Sequence, residues 1–104
     1  LTCDAIVAAR DPHFFKEHAI AHHRPQHLLL WEADEPDHGE DIGSFIDQKI
    51  SALLAHESQF ESTMKAVDQT ALDKFSQRMR TRMAELGQRI NRPAAEIFKK
   101  ISDI

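Results

Sequence analysis

The sequence predicts a helix-rich α/β fold with one or two strands, and three observations carry that expectation. Between Gln26 and Ala33 the run H-L-L-L-W is short and unbroken, the length and pattern of a strand covered on both faces in a parallel or mixed sheet. Two later stretches carry apolar residues at helical spacing, each behind a capping-type start. One strand cannot make a sheet, because its backbone donors and acceptors need partners. The 104 residues are therefore expected to be a single segment of a larger α/β domain whose other strands lie upstream of Leu1.

The elements follow in order. Leu1 to Ala9 is Ala-rich and reads as the last turns of a helix, stopped by Arg10-Asp11-Pro12. His13 to Ala21 fits a short helix with Phe14 and Phe15 packed inward, ending before Arg24-Pro25. After the strand, Trp31 to Asp41 (W-E-A-D-E-P-D-H-G-E-D) concentrates six carboxylates and a histidine. At the carboxyl end of a strand such a stretch either lines a cleft or is a solvated connection with Asp41 as a local cap. Ser44 and Asp47 then form a capping box for a helix running to about His56, with Ile46, Ile50, Leu53 and Leu54 on one stripe. A second start at Thr70 to Asp73 opens a longer helix whose stripe is Leu72, Phe75, Met79, Met83, Leu86 and Ile90. Gly87 weakens or caps it, and Pro93 ends it. The tail Ala94 to Ile101 fits either a short strand or a last helical turn.

Composition limits the function classes. A net charge of −4 lacks the footprint of a nucleic-acid binder; the basic third holding Arg78, Arg80, Arg82, Arg89 and Arg92 is interrupted by Asp73 and Glu85 and reads as a solvated face. No apolar run approaches the roughly 18 residues of a membrane span. Cys3 is the single cysteine, so a reducing, cytoplasmic setting is the default. No signal peptide is visible, although the chain begins at Leu1 without Met.

Seven histidines invite a zinc hypothesis. Pro25, however, lies between His23 and His27 and breaks the helix that would place both rings on one face, while His13 and His18 fit no metalloprotease spacing. Cys3 stands alone, there is no nucleophile elbow, and the three glycines form no phosphate loop. No catalytic residue, metal ligand or cofactor site is assigned within these residues.

Taken together, the motifs resemble the C-terminal half of the LmbE-like (PIG-L) zinc-dependent deacetylases. The resemblance rests on Ala8-Ala9-Arg10-Asp11-Pro12 with Phe14-Phe15, on Asp41-Ile42, on K-I-x-A-L-x-A-H-x-S-Q from Lys49 to Gln59, and on Glu85-Leu86-Gly87 followed by Pro93-Ala94-Ala95-Glu96-Ile97-Phe98. It implies a Rossmann-like fold that binds one zinc ion and removes an N-acyl group from an amino-sugar conjugate, typically of N-acetylglucosamine. In that chemistry zinc acidifies its bound water and polarises the amide, an Asp is general base and a His supports the oxyanion.

The family takes its ligands and base from an Ala-His-Pro-Asp-Asp-type and a His-Pro-Asp-His-type motif, and neither is present here. Asp37-His38 is not the second, because it follows the Arg-Asp-Pro element. Zinc is thus expected in the full-length parent and not on this segment. Asp41, His56 and Gln59 match family positions near the cleft, with His56 also suited to a helix C-terminus. The alternative is a non-catalytic helical interaction module offering the apolar stripe between Thr70 and Arg92. The oligomeric state is left open.

Overall fold

The structure, a computed structural model, describes residues 1–61 and 67–104. The elements are α1 (Thr2–Arg10), a 3₁₀ turn (Lys16–His18), β1 (His27–Leu30), β2 (His38–Asp41), a 3₁₀ turn (Gly43–Phe45), α2 (Ile46–Leu54), a 3₁₀ turn (Glu57–Gln59), α3 (Gln69–Gln88) and β3 (Ala95–Ser102). The fold is mixed α/β with a three-stranded sheet in the order β1-β3-β2. β1 is antiparallel to β3, with His27 opposite Ser102 and Leu30 opposite Lys99. On the other side of β3, Asp37 N–H donates to the Phe98 carbonyl at 3.0 Å and Ile42 N–H to the Ala94 carbonyl at 3.1 Å. One number rises as the other falls, so β2 also runs antiparallel to β3. The tail from Ala95 is therefore a strand, and the expected parallel or mixed setting of β1 is replaced by an antiparallel one. An unbroken apolar run reports which residues want cover, and carries nothing about the direction of the neighbouring strand.

The chain divides into two compact units, Gly39–Ile97 and Leu1–His38 with Phe98–Ile104. In the unit Gly39–Ile97, Ile50 of α2, Phe75 and Met83 of α3, and Ala94 and Ala95 at the start of β3 are buried. Phe75 packs against Leu53, Leu54, Phe60, Ala71, Leu72 and Met79, so the stripes read from the sequence on both helices face each other. An exposed ion pair, Arg80 Nη2 to Asp47 Oδ1 at 2.5 Å, also links the two helices, and at such exposure it contributes little.

The helix ends differ from those expected. α2 begins at Ile46 without a side-chain cap; the preceding turn is held instead by Asp41, whose Oδ1 accepts from Gly43 N–H at 2.9 Å. α3 is capped by Asp68, whose carboxylate accepts from Ala71 N–H at 2.8 Å, and not by Thr70. Asp68 meets the three-residue spacing from acceptor to amide donor two residues earlier than the Thr70 box. α3 stops at Gln88. Gly87's carbonyl accepts from Ile90 N–H at 3.0 Å and from Arg92 N–H at 2.9 Å, and Asn91 takes the left-handed region at φ 56, which asparagine tolerates better than most residues. The chain folds back over Gly87, where an added Cβ would meet the Arg92 carbonyl oxygen and Ala94 Cα and N, the latter two at 2.8 Å. Gly87 is thus a point of close backbone approach.

In the unit Leu1–His38 with Phe98–Ile104, α1 forms as expected and buries no residue. His23 N–H donates to the Ala9 carbonyl near its end at 2.7 Å. The helix expected over His13 to Ala21 is only the turn Lys16–His18, bracketed by Phe15 and Ala19 in the left-handed region at φ 51 and 50. Phe14 and Phe15 are exposed rather than packed inward; their ring centroids lie 6.2 Å apart, and Phe15 lies 5.9 Å from the His18 ring. A short helix is stabilised mainly by packing its apolar face, and this unit supplies no buried surface to receive one. Leu29, Leu30 and Trp31 are likewise exposed. Among the described residues no helix is long and apolar enough to cross a membrane.

Candidate functional site

The stretch from Trp31 to Asp41 is not a plain loop, because its last four residues form β2. Two of its carboxylates accept from backbone donors. Asp37 Oδ1 accepts from Lys100 N–H at 2.8 Å and Oδ2 from Lys99 Nζ at 2.5 Å. The Lys100 amide first, and then the Lys99 ammonium, hold the Asp37 carboxyl below the usual carboxylate range. Asp41, besides accepting from Gly43, has Oδ2 3.8 Å from Arg92 Nε. Both side chains fasten the fold, which is the local-cap reading for Asp41.

His56 and Gln59 lie together in the turn after α2. His56 N–H donates to the Leu53 carbonyl at 3.1 Å, and its own carbonyl accepts from Gln59 N–H at 2.9 Å. Both residues are exposed. Asp41 precedes α2 while this pair follows it, and nine helical residues span about 13 Å. The three matched positions therefore occupy opposite ends of one helix.

Between those ends lies a feature that residue spacing did not single out. Lys49 of α2 pairs with Glu96 of β3, beside a cleft of about 280 Å³ lined by Ile42, Phe45, Gln48 and Ala52. Burial, and after it the charge of Arg82, pushes the Lys49 ammonium below the usual lysine range. The signal was present as two separate motif letters, one in Lys49-Ile50 and one in Ala95-Glu96, with nothing local to pair them.

Among the described residues no group of three or more His, Cys, Asp or Glu is placed to hold a metal ion, and residues 62–66, S-T-M-K-A, include none of those types. Compared with known proteins, the chain matches no protein-family model and no curated protein.

Proposed function

We propose that this chain is the C-terminal portion of an LmbE-like, Rossmann-like zinc amidohydrolase acting on an N-acetylglucosamine-type conjugate in the cytoplasm, and that it supplies packing and one wall of the cleft. The observation that carries the reading is the sequence K-I-x-A-L-x-A-H-x-S-Q, laid along α2 and the turn that follows it, from half-buried Lys49 to the exposed pair His56 and Gln59. Support also comes from the Lys49–Glu96 pair, which joins that stretch to the second quoted motif, Pro93 to Phe98. In this reading the zinc ligands and general base belong to the preceding part of the protein, and no chemical step is assigned to residues of this segment. Asp41, His56 and Gln59 are cleft-wall positions, and all three are exposed.

The interaction-module alternative gains no support, because the α3 stripe it would offer is spent within its own unit: Phe75 and Met83 are buried, and Leu72, Met79 and Leu86 partly so. The test is the coding sequence upstream of Leu1, followed by zinc content and acetate release from N-acetylglucosamine conjugates for the complete protein and for the 104-residue chain. Both histidine-aspartate motifs upstream, with activity and zinc only in the complete protein, are expected. An upstream frame lacking both motifs, or stoichiometric zinc and deacetylation by the 104-residue chain alone, would sink the proposal.

A further inference from the structure

The cleft beside the Lys49–Glu96 pair brings a cation, an anion and an apolar wall together within the unit Gly39–Ile97. Phe45, Gln48, Lys49 and Ala52 stand at i, i+3, i+4 and i+7, one side of α2 and of the residue before it. Glu96 of β3 and Ile42 complete the lining. Ile42, Phe45 and Ala52 supply the apolar wall, with Phe45 59% exposed, while the Lys49 and Glu96 side chains are each 32% exposed. The volume of about 280 Å³ lies just under the range of sites for drug-sized ligands. At about 30 Å³ per water it equals about nine waters, room for one small molecule.

The pair is not used up by its own contact. An ammonium carries three N–H donors and a carboxylate about four lone-pair sites, so each group is able to bond again. Charge decides what they accept. An anion alone would approach Lys49 against the repulsion of Glu96, and a cation alone would approach Glu96 against that of Lys49 and of Arg82, whose charge reaches Lys49. A ligand of both signs avoids each conflict, because its carboxylate on Lys49 and its ammonium on Glu96 make the four charges alternate. Burial and Arg82 hold the Lys49 ammonium below its usual range although Glu96 is beside it, so an added carboxylate relieves an imbalance already present.

We propose that this cleft binds a free α-amino acid with an apolar side chain, its carboxylate on Lys49, its ammonium on Glu96 and its side chain against Ile42, Phe45 and Ala52. A leucine-sized molecule suits the volume, and Gln48 offers an amide to either charged group. The proposal stands on the cleft alone and goes beyond the hydrolase reading, in which Lys49 and Glu96 only join two motifs.

Titration of the 104-residue chain with leucine, isocaproate and isoamylamine at neutral pH, followed by amide NMR, tests it, because the two analogues keep the apolar body and each lacks one charge. Leucine is expected to shift the Gln48, Lys49 and Glu96 amides saturably. Isocaproate and isoamylamine should bind at least about tenfold more weakly, through loss of one charge-assisted contact. Glu96→Gln should weaken leucine by a similar factor and leave isocaproate as before or tighter, a difference that loosening of the fold would not produce.

No saturable shift with leucine up to its solubility overturns the proposal. So does equal binding by either analogue, which would make the cleft a site for a single charge, or shifts with methyl glucoside and none with leucine, which would make it a site for a neutral sugar. A Glu96→Gln chain that loses leucine and isocaproate alike also overturns it. If that variant does not melt cooperatively, the three-ligand comparison on the unsubstituted chain decides.

Discussion

Replacing Gly87 by alanine sets helix propensity against packing, and the structure decides which wins. In a solvated helix interior the change would stabilise by about 1 kcal/mol, since alanine restricts the unfolded chain and shields the backbone. At Gly87 the new methyl would sit 2.8 Å from Ala94 Cα and N and closer still to the Arg92 carbonyl oxygen, where carbon atoms in good contact stand about 3.5–4.0 Å apart. Every opposing atom belongs to the backbone, so no side-chain end can swing away. The segment must move, and two things suffer: the buried seat of Ala94 and the hydrogen bond from Arg92 N–H to the Gly87 carbonyl. Overpacking typically costs about 1–3 kcal/mol and the bond about 1 kcal/mol, which leaves a net destabilisation of about 1–3 kcal/mol. Thermal unfolding followed by helical circular dichroism should show a fall on the order of 10 °C. Gln88→Ala, one residue on and exposed, is the control and should melt at or slightly above the parent. A Gly87→Ala protein that melts as high as the parent would refute the close-approach reading.

Three further outcomes follow from the site geometry. Asp68→Ala, which removes the acceptor for Ala71 N–H, should cost about 1 kcal/mol in urea unfolding, whereas Thr70→Ala should cost much less. The Asp37 carboxyl is held below its ordinary range in the folded chain, so what its clasp contributes is present above the unfolded carboxylate pKa and lost as pH falls through the folded one. The exchange protection of the Lys100 amide should follow that titration, and Asp37→Asn should abolish its acid dependence. Glu96→Gln removes the negative partner of Lys49 while leaving burial and Arg82 in place; an NMR titration of the Lys49 side chain should then report a pKa below that of the parent, and an unchanged value would deny the pair.

The sequence's helical stripes were legible because burial in α2 and α3 is settled between consecutive helices: Leu53, Leu54, Phe75 and Met79 pack together. The strands were harder. β2, H-G-E-D, has no strand-like composition and exists because β3 offers it backbone partners more than fifty residues away in sequence. Gly39 is the one local hint, since a Cβ there would come 2.8 Å from Ile90 Cγ2, a contact invisible until α3 and its following turn are in place. His13 to Ala21 failed in the opposite way. Its composition suits a helix, but Phe14 and Phe15 are exposed in a unit that buries none of its residues, so the local preference is not realised.

The same logic reorders the candidate site. Carboxylates crowded between Glu32 and Asp41 look like chemistry, yet two of them, Asp37 and Asp41, accept from the backbone amides of Lys100 and Gly43. The Asp37 carboxyl, bonded to the Lys100 amide and the Lys99 ammonium, is held below the usual carboxylate range as a structural acceptor. His56 and Gln59 make turn bonds through their backbones and are exposed. The acidic stretch is therefore first a means of fastening β2 and the turn before α2, through the Asp37 and Asp41 carboxylates.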